Sequence, residues 1–369
     1  MGLWFLLFLI VFFTAVLSLI AKHDASYRFL VFAVFAVMTA MLCLRFGQGV
    51  DYFLYRDMFY DVKNYDDVFR GHGEPLYRML GLVFNGFMKF THMVIIISLA
   101  EMAMMWDFIR RYSKNFAVSL LMMIMTYYIM FLAGAIRQGI VITVFLCYGS
   151  RLIEGHKWRE YVLMCIVLSL IHAVALIYLV VPLMLRFSVK TYLFIIVCSL
   201  AFGLTLVHRF LLGYIRYANA DGSFSLRATG IAERFLSFAV IYYSYYAAYK
   251  GKGNDWWMKL YCFGIALYCL VIPVANTGQR LTACFKTLEI IIVPQIMSQK
   301  SKYRQLFTSY FLLLSIVLYC HTLNQEVING SYRLSLNPVA FPYVSVFNAD
   351  DIYTLREQGL DVKKRREEY

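Results

Sequence analysis

The stretch Tyr161-Val-Leu-Met-Cys-Ile-Val-Leu-Ser169-Leu-Ile-His172-Ala-Val-Ala-Leu-Ile-Tyr178-Leu-Val-Val-Pro182-Leu-Met-Leu185 is apolar throughout except for Ser169 and His172 near its middle. Its reading decides the fold, because basic loops follow it: Arg186 with Lys190, then Lys250, Lys252 and Lys259, then Lys300, Lys302 and Arg304. Short loops rich in Lys and Arg stay in the cytoplasm. All these loops can do so only if residues 161–185 enter and leave by the same face, since one crossing inverts every later loop. Two full crossings do not fit, because each would have about 12 residues, or about 18 Å of helix. The expected element is a broken or re-entrant segment with His172 near its tip, a backbone tolerated where it lines a water-filled cavity.

The rest of the chain fits a bilayer. Of 369 residues, 61% are hydrophobic, 18% aromatic and 15% charged, with mean hydropathy +0.64. That excludes a disordered chain and argues against an ordinary soluble domain. Apolar runs of spanning length fall at 3–20, 28–45, 93–109, 116–133, 138–153, 190–207, 232–249, 257–275, 281–297 and 305–321. The fold class expected is an all-α polytopic bundle of about 10–12 membrane segments, in one membrane domain, 1–321. A tail, 322–369, forms a small surface cap or is partly disordered. The run at 76–90 is short and carries Arg78 and Lys89; if it does not cross, Arg110, Arg111 and Lys114 fall in the cytoplasm. No basic residue precedes the first run and no small-residue cleavage site follows it, so it reads as a retained anchor rather than a signal peptide. With Lys22 and Arg28 after it, the N-terminus lies outside and residues 46–75 form an outer loop of net charge −3. The eight cysteines all lie in apolar runs without metal spacing and read as small buried hydrophobes.

The net charge of +13 is largely explained by cytoplasmic loops, and the cations left on the outer side become candidates for binding an anion. In Arg45-Phe-Gly47-Gln-Gly49-Val-Asp51-Tyr52-Phe-Leu-Tyr55, the glycines permit close approach to a ligand, and Asp51 can pair with Arg45 or hold a hydroxyl. A snorkelling arginine and a glycine stop explain the same residues. Glu74-Pro75-Leu-Tyr77 reads as a helix start that can bind an anion, with Glu74 alternatively stabilising the helix dipole. In Arg137-Gln138-Gly139, the arginine is placed to grip a phosphate by two bonds. His172 can be a base or an interhelical hydrogen bond. Arg280 adds another outer arginine, with Lys286 and Glu289 spaced to neutralise each other. The outer loop 208–231 and the residues just after it bring an arginine excess that includes Arg227 and Arg234. There is no Walker A sequence, no H-E-x-x-H, no Asp-rich metal cluster and no G-x-S-x-G, so neither a metal nor another cofactor is expected and any chemistry falls to arginines, carboxylates and a histidine.

Taken in order, Arg45-x-Gly47-x-Gly49-x-Asp51-Tyr52-x-x-Tyr55, Glu74-Pro75-Leu76-Tyr77, Ile136-Arg137-Gln138-Gly139, His172 in a long apolar segment, and Arg280 ahead of a Pro294-terminated helix resemble the EpsG family. The resemblance covers roughly residues 40–300, and Gly139-Ile-Val departs harmlessly from the family's Arg-Gln helix. It implies a Wzy-type polysaccharide polymerase of exopolysaccharide or capsule synthesis, in the bacterial inner (cytoplasmic) membrane. Such a protein transfers a polyprenyl-diphosphate-linked glycan chain to a lipid-linked oligosaccharide repeat at the outer face. The implied partners are that lipid-linked oligosaccharide, the bilayer and other polysaccharide-export proteins, with no nucleic acid.

A diphosphate is already a good leaving group, so the main requirement is fixed cations in a water-poor cavity. The expected diphosphate clamp is Arg45, Arg137, Gln138 and Arg280, with Arg227 and Arg234. The candidate catalytic groups are His172 and Asp51, then Glu74. Tyr52, Tyr55 and Tyr77 are expected to stack on sugars. The rival is a transporter or flippase for the same lipid-linked oligosaccharide, which the lack of two matched broken helices disfavours. A membrane acyltransferase ranks lower because His172 has no acidic neighbour within ten residues, and a scaffold within a synthase complex lower still.

Overall fold

The computed structural model describes residues 2–20, 24–49, 51–71, 73–207, 228–272, 275–329 and 342–354. Among these residues the chain is all-helical and contains no strand. Among the described residues seven helices are long and apolar enough to cross a bilayer, against the ten runs expected. They are α1 (Leu3–Ile20), α2 (Ala25–Leu44), α6 (Phe90–Tyr112), α7 (Phe116–Gly134), α8 (Ile136–Glu154), Gly278–Ser298 and Arg304–Asn324. The runs at 190–207 and 257–275 yield shorter apolar helices. The run at 232–249 falls in Ala228–Ala248 but for its last residue, and Glu233 and Arg234 dilute the helix's hydropathy.

The loop 46–75 is itself helical, containing α3 (Tyr52–Asp61) and α4 (Tyr65–Arg70). Asn64 and Asp67 close a reciprocal capping box on α4, which fixes its start. The run at 76–90 becomes α5 (Pro75–Asn85), about 16 Å long at 1.5 Å per residue and too short to cross. The central element is α7, buried on nearly every face, which is why it is apolar all round. From Ile124 to Gly134 it widens into a π-helix. Leu120 and Leu121 are fully enclosed, so truncating either to alanine would cost about 2–5 kcal/mol.

The segment around His172 forms a hairpin. The ascending leg is α9 (Trp158–Ser169), and the return leg is a 3₁₀ helix, Ala173–Val180, followed by the one-turn α10 (Val181–Met184). A 3₁₀ helix rises about 2.0 Å per residue, so the return covers about 22 Å, against about 18 Å for α9. The tip is held by Leu76 N–H donating to Leu170 O at 2.9 Å. Both feet lie at the other end of the bundle. There Lys259 Nζ donates to Leu185 O at 2.9 Å, Val189 N donates to the Asn254 amide oxygen, and Trp256 Nε1 donates to Glu154 at 3.1 Å. Asp107 gathers Arg110, Arg111 and Arg151 near that basic end. The hairpin thus enters and leaves by one face.

The remaining helices are α11 (Thr191–Phe202, continued by a π-turn to Val207), α12 (Ala228–Ala248), α13 (Trp256–Leu270), α14 (Ala275–Thr287), α15 (Glu289–Ser298) and α16 (Arg304–Asn329). Pro294 lies inside α15 and does not terminate it. Proline lacks the N–H that would bond Ile290 O, and the Ser119 hydroxyl donates to that carbonyl at 2.7 Å instead. Residues 342–346 fold back to the end of α2: Phe46 N donates to Val344 O and Val346 N to Leu44 O, both at 2.9 Å. Tyr343 OH donates to Met41 O at 2.8 Å, and the Gln48 amide donates to Pro342 O at 2.9 Å. Six of the cysteines are buried, Cys198 and Cys320 are partly so, and all eight are free thiols.

Candidate functional site

At the end opposite the basic loops, three of the expected residues meet. Glu74 ends the turn before α5, Arg137 lies in the first turn of α8, and His172 precedes the 3₁₀ leg of the hairpin. One carboxylate oxygen of Glu74 accepts from His172 Nδ1 at 2.9 Å and from Ala173 N–H at 3.0 Å, and the other pairs with Arg137. Local sequence makes this meeting possible. Gly73 has φ +99°, Pro75 starts the helix, and a Cβ on Gly73 would stand 2.2 Å from the Met58 methyl and 3.0 Å from Arg137 Nη1. Burial alone would raise the Glu74 carboxyl, but the hydrogen bonds from His172 and Ala173 and the Arg137 charge outweigh it and hold it at about 2. The carboxylate is therefore ionised and already engaged, which suits it to orienting a base better than to being one.

The three side chains remain reachable, with Arg137 16%, Glu74 20% and His172 22% exposed. The Arg137 guanidinium sits 5.3 Å from the Tyr55 ring centroid and 5.8 Å from that of Tyr77. Its Nε has no acceptor among the described residues. Burial pushes both tyrosine phenols up, so they stay neutral at ordinary pH. A second arginine is held nearby through the backbone: Gln138 Nε2 donates to Arg280 O at 2.5 Å. The Arg280 side chain is 59% exposed and lies 3.9 Å from Asp51, so Asp51 pairs with Arg280 and not with Arg45.

Other expected members are placed elsewhere. Arg45 is 1% exposed, and its donors go to Ser98 Oγ and Leu132 O at 2.9 Å, to Ala133 O at 3.3 Å, and to Leu42 O. It spends four of its five N–H groups on Ser98 and on carbonyls at the ends of α2 and the π-helix, and its burial keeps it from a phosphate. Gly49, at φ +104°, lets the loop pass there, since a Cβ would lie 2.5 Å from Ala133 O. Tyr52 is buried among Phe46, Phe53 and Phe90 and packs as core away from any sugar. Arg234 lies within the α12–α14 packing, donating to the Thr282 hydroxyl at 2.5 Å and resting 4.4 Å over the Tyr268 ring. Arg227 lies outside the described residues. Lys286 pairs with Glu233 at 2.6 Å, and Glu289 accepts from Tyr261 OH at 2.9 Å, so these two do not neutralise each other.

Glu101, which the sequence reading passed over, sits fully buried in α6 within electrostatic reach of Arg45. Both of its oxygens lack hydrogen-bond partners among the described residues. Its signal was available: an acid in the middle of an apolar run.

A bundle of apolar helices with a carboxylate–arginine–histidine cluster inside one end defines a multi-pass membrane protein with a polar site below its surface. The chain belongs to the EpsG family, whose model matches residues 28–335. That membership supports a Wzy-type, polymerase-like membrane protein. No curated protein and no solved structure matches the chain.

Proposed function

We propose that this chain is a polysaccharide polymerase that transfers a glycan from a polyprenyl-diphosphate carrier to a hydroxyl of a second lipid-linked repeat, at the outer face of the cytoplasmic membrane. The observation that carries this reading is the Glu74–His172–Arg137 cluster, which sets a base beside a cation in a partly enclosed site. With Nδ1–H donated to Glu74, the neutral imidazole keeps Nε2 as a proton acceptor. In the proposed step Nε2 takes the proton of the acceptor hydroxyl, and the oxygen bonds to the anomeric carbon. The bond from that carbon to the phosphate oxygen breaks, and the electron pair leaves with the diphosphate. Arg137 and the exposed Arg280 meet the developing negative charge, and Glu74 stabilises the imidazolium. Tyr55 and Tyr77, 3% and 2% exposed, are core like Tyr52 and hold the Arg137 guanidinium in place rather than stacking on a sugar, and Asp51 orients Arg280. The membrane, the lipid-linked repeat and other export proteins are the partners this reading requires.

The test is reconstitution of the purified chain with lipid-linked repeats and no nucleotide. The expected result is polymer, with His172→Ala accumulating single repeats at normal protein abundance. Repeats that change leaflet without lengthening would replace this reading by a flippase.

A further inference from the structure

We propose that the basic end of α12 carries a binding site for the head group of an anionic phospholipid, of the phosphatidylglycerol type. A cavity of about 450 Å³ opens there, lined by Tyr242, Tyr243, Tyr246, Ala247, Lys250 and Gly251. A second lysine, Lys190, meets one of these rings, and a third, Lys302, stands one ring further out. The Lys190 ammonium lies 5.6 Å from the Tyr246 ring centroid. Lys302 lies 5.9 Å from that of Tyr303, whose ring packs 5.3 Å from Tyr243. Among the described residues, none of Lys190, Lys250 and Lys302 is in an ion pair. Asp255, the nearest acid along the chain, is engaged by the Tyr245 hydroxyl at 2.7 Å.

The helix exit fixes where Lys250 stands. Lys250 has φ 51°, in the left-handed region, where Gly251 N–H closes the end of α12 onto Tyr246 O at 2.9 Å. Glycine is the usual residue at such a helix exit, and a side chain there is strained. His156 adopts the same conformation, so the turn serves only to set Lys250 on the cavity rim, and the charges and rings carry the assignment. Tyrosine rings sit naturally at head-group level with their faces toward acyl chains, and Tyr243 is 56% exposed. One lysine on the rim of an aromatic cavity and two beside its rings, none in an ion pair, complement a lipid phosphate. The site lies at the opposite end of the bundle from Glu74 and stands whether or not the transferase reading does.

The purified full chain, in neutral detergent, is titrated with phosphatidylglycerol and with phosphatidylcholine of the same acyl chains, and bound lipid is counted by native mass spectrometry. One phosphatidylglycerol should survive where phosphatidylcholine does not. Each lysine near an anionic surface is worth about fivefold in affinity. Lys190→Gln, Lys250→Gln and Lys302→Gln together should therefore weaken binding on the order of a hundredfold. A control removing the same charge at the same end, Lys114→Gln, Lys157→Gln and Arg159→Gln, should leave that lipid in place. Equal retention of the two lipids, equal loss in the control, or displacement by inorganic pyrophosphate at substrate-like concentration would each overturn the assignment.

Discussion

Replacing Glu74 by glutamine tests the centre of the site, because the amide keeps the shape and removes the charge. The carboxylate is surrounded only by donors: Arg137, His172 Nδ1 and Ala173 N–H. The amide offers one acceptor oxygen and brings two more donors. The depression of the carboxyl from 4.5 to about 2 is equivalent to about 3 kcal/mol. With a fifth of the side chain open to solvent, screening reduces this to about 2 kcal/mol. The sign follows from a folded pKa below the unfolded one. The stabilisation is complete above about pH 4.5 and is lost as the pH falls toward about 2. Thermal melts of the detergent-solubilised protein should therefore show Glu74→Gln less stable by about 2 kcal/mol at neutral pH, with the gap from wild type closing through that acid window. Glycan transfer should fall on the order of a hundredfold or more, as the imidazole loses its orienting partner. A variant with the wild-type melting point at neutral pH, an unchanged acid limb and unchanged transfer would refute the cluster as a working unit.

Four further outcomes are expected. Arg137→Lys keeps a cation but loses the planar fork, so polymer formation in the reconstituted assay should drop at least about a hundredfold with little change in melting. Arg45→Met strands the carbonyls of Leu42, Leu132 and Ala133 and leaves Glu101 facing no cation. It should cost about 3–5 kcal/mol and show as lost folded protein on size exclusion, whereas normal abundance with lost activity would return Arg45 to the clamp. Gly49→Ala forces a Cβ to 2.5 Å from Ala133 O at φ +104° and should destabilise by more than about 2 kcal/mol in denaturation. Cysteines introduced at the exposed Asp57 and Asn254 should react differently with an impermeant reagent applied from outside: Asp57→Cys labels and Asn254→Cys does not. Labelling of both would break the same-face reading of the hairpin.

The hairpin was legible because charge parity is a global constraint. One segment had to return for the later basic loops to share a side, and Lys259 and Asn254 do meet the hairpin's lower end. What the sequence does not show is which residues share a site across long separations. The acid beside His172 is Glu74, 98 residues earlier, so a search of the neighbouring sequence finds no partner at all. Arg45 and Arg137 look alike as motifs, and only three-dimensional packing shows one spent on backbone carbonyls and the other partly free. The spacing of Lys286 and Glu289 suggested a pair, yet a break at Leu288 separates α14 from α15, and each side chain takes a partner on another helix. Helices within 46–75 were hidden by their short length and acidic composition, features that also describe loops.

The strip at 342–346 has a consequence for assembly. Gln48 and Pro342 are 294 positions apart, yet this contact and its neighbours fix the stretch from which Asp51 reaches Arg280. The membrane helices can insert one after another as they leave the ribosome, but this corner cannot close until nearly the whole chain has been made. A nascent chain is thereby kept without the closed Asp51–Arg280 corner during synthesis, and a chain ended before residue 342 should insert its helices normally and still leave that corner unlatched.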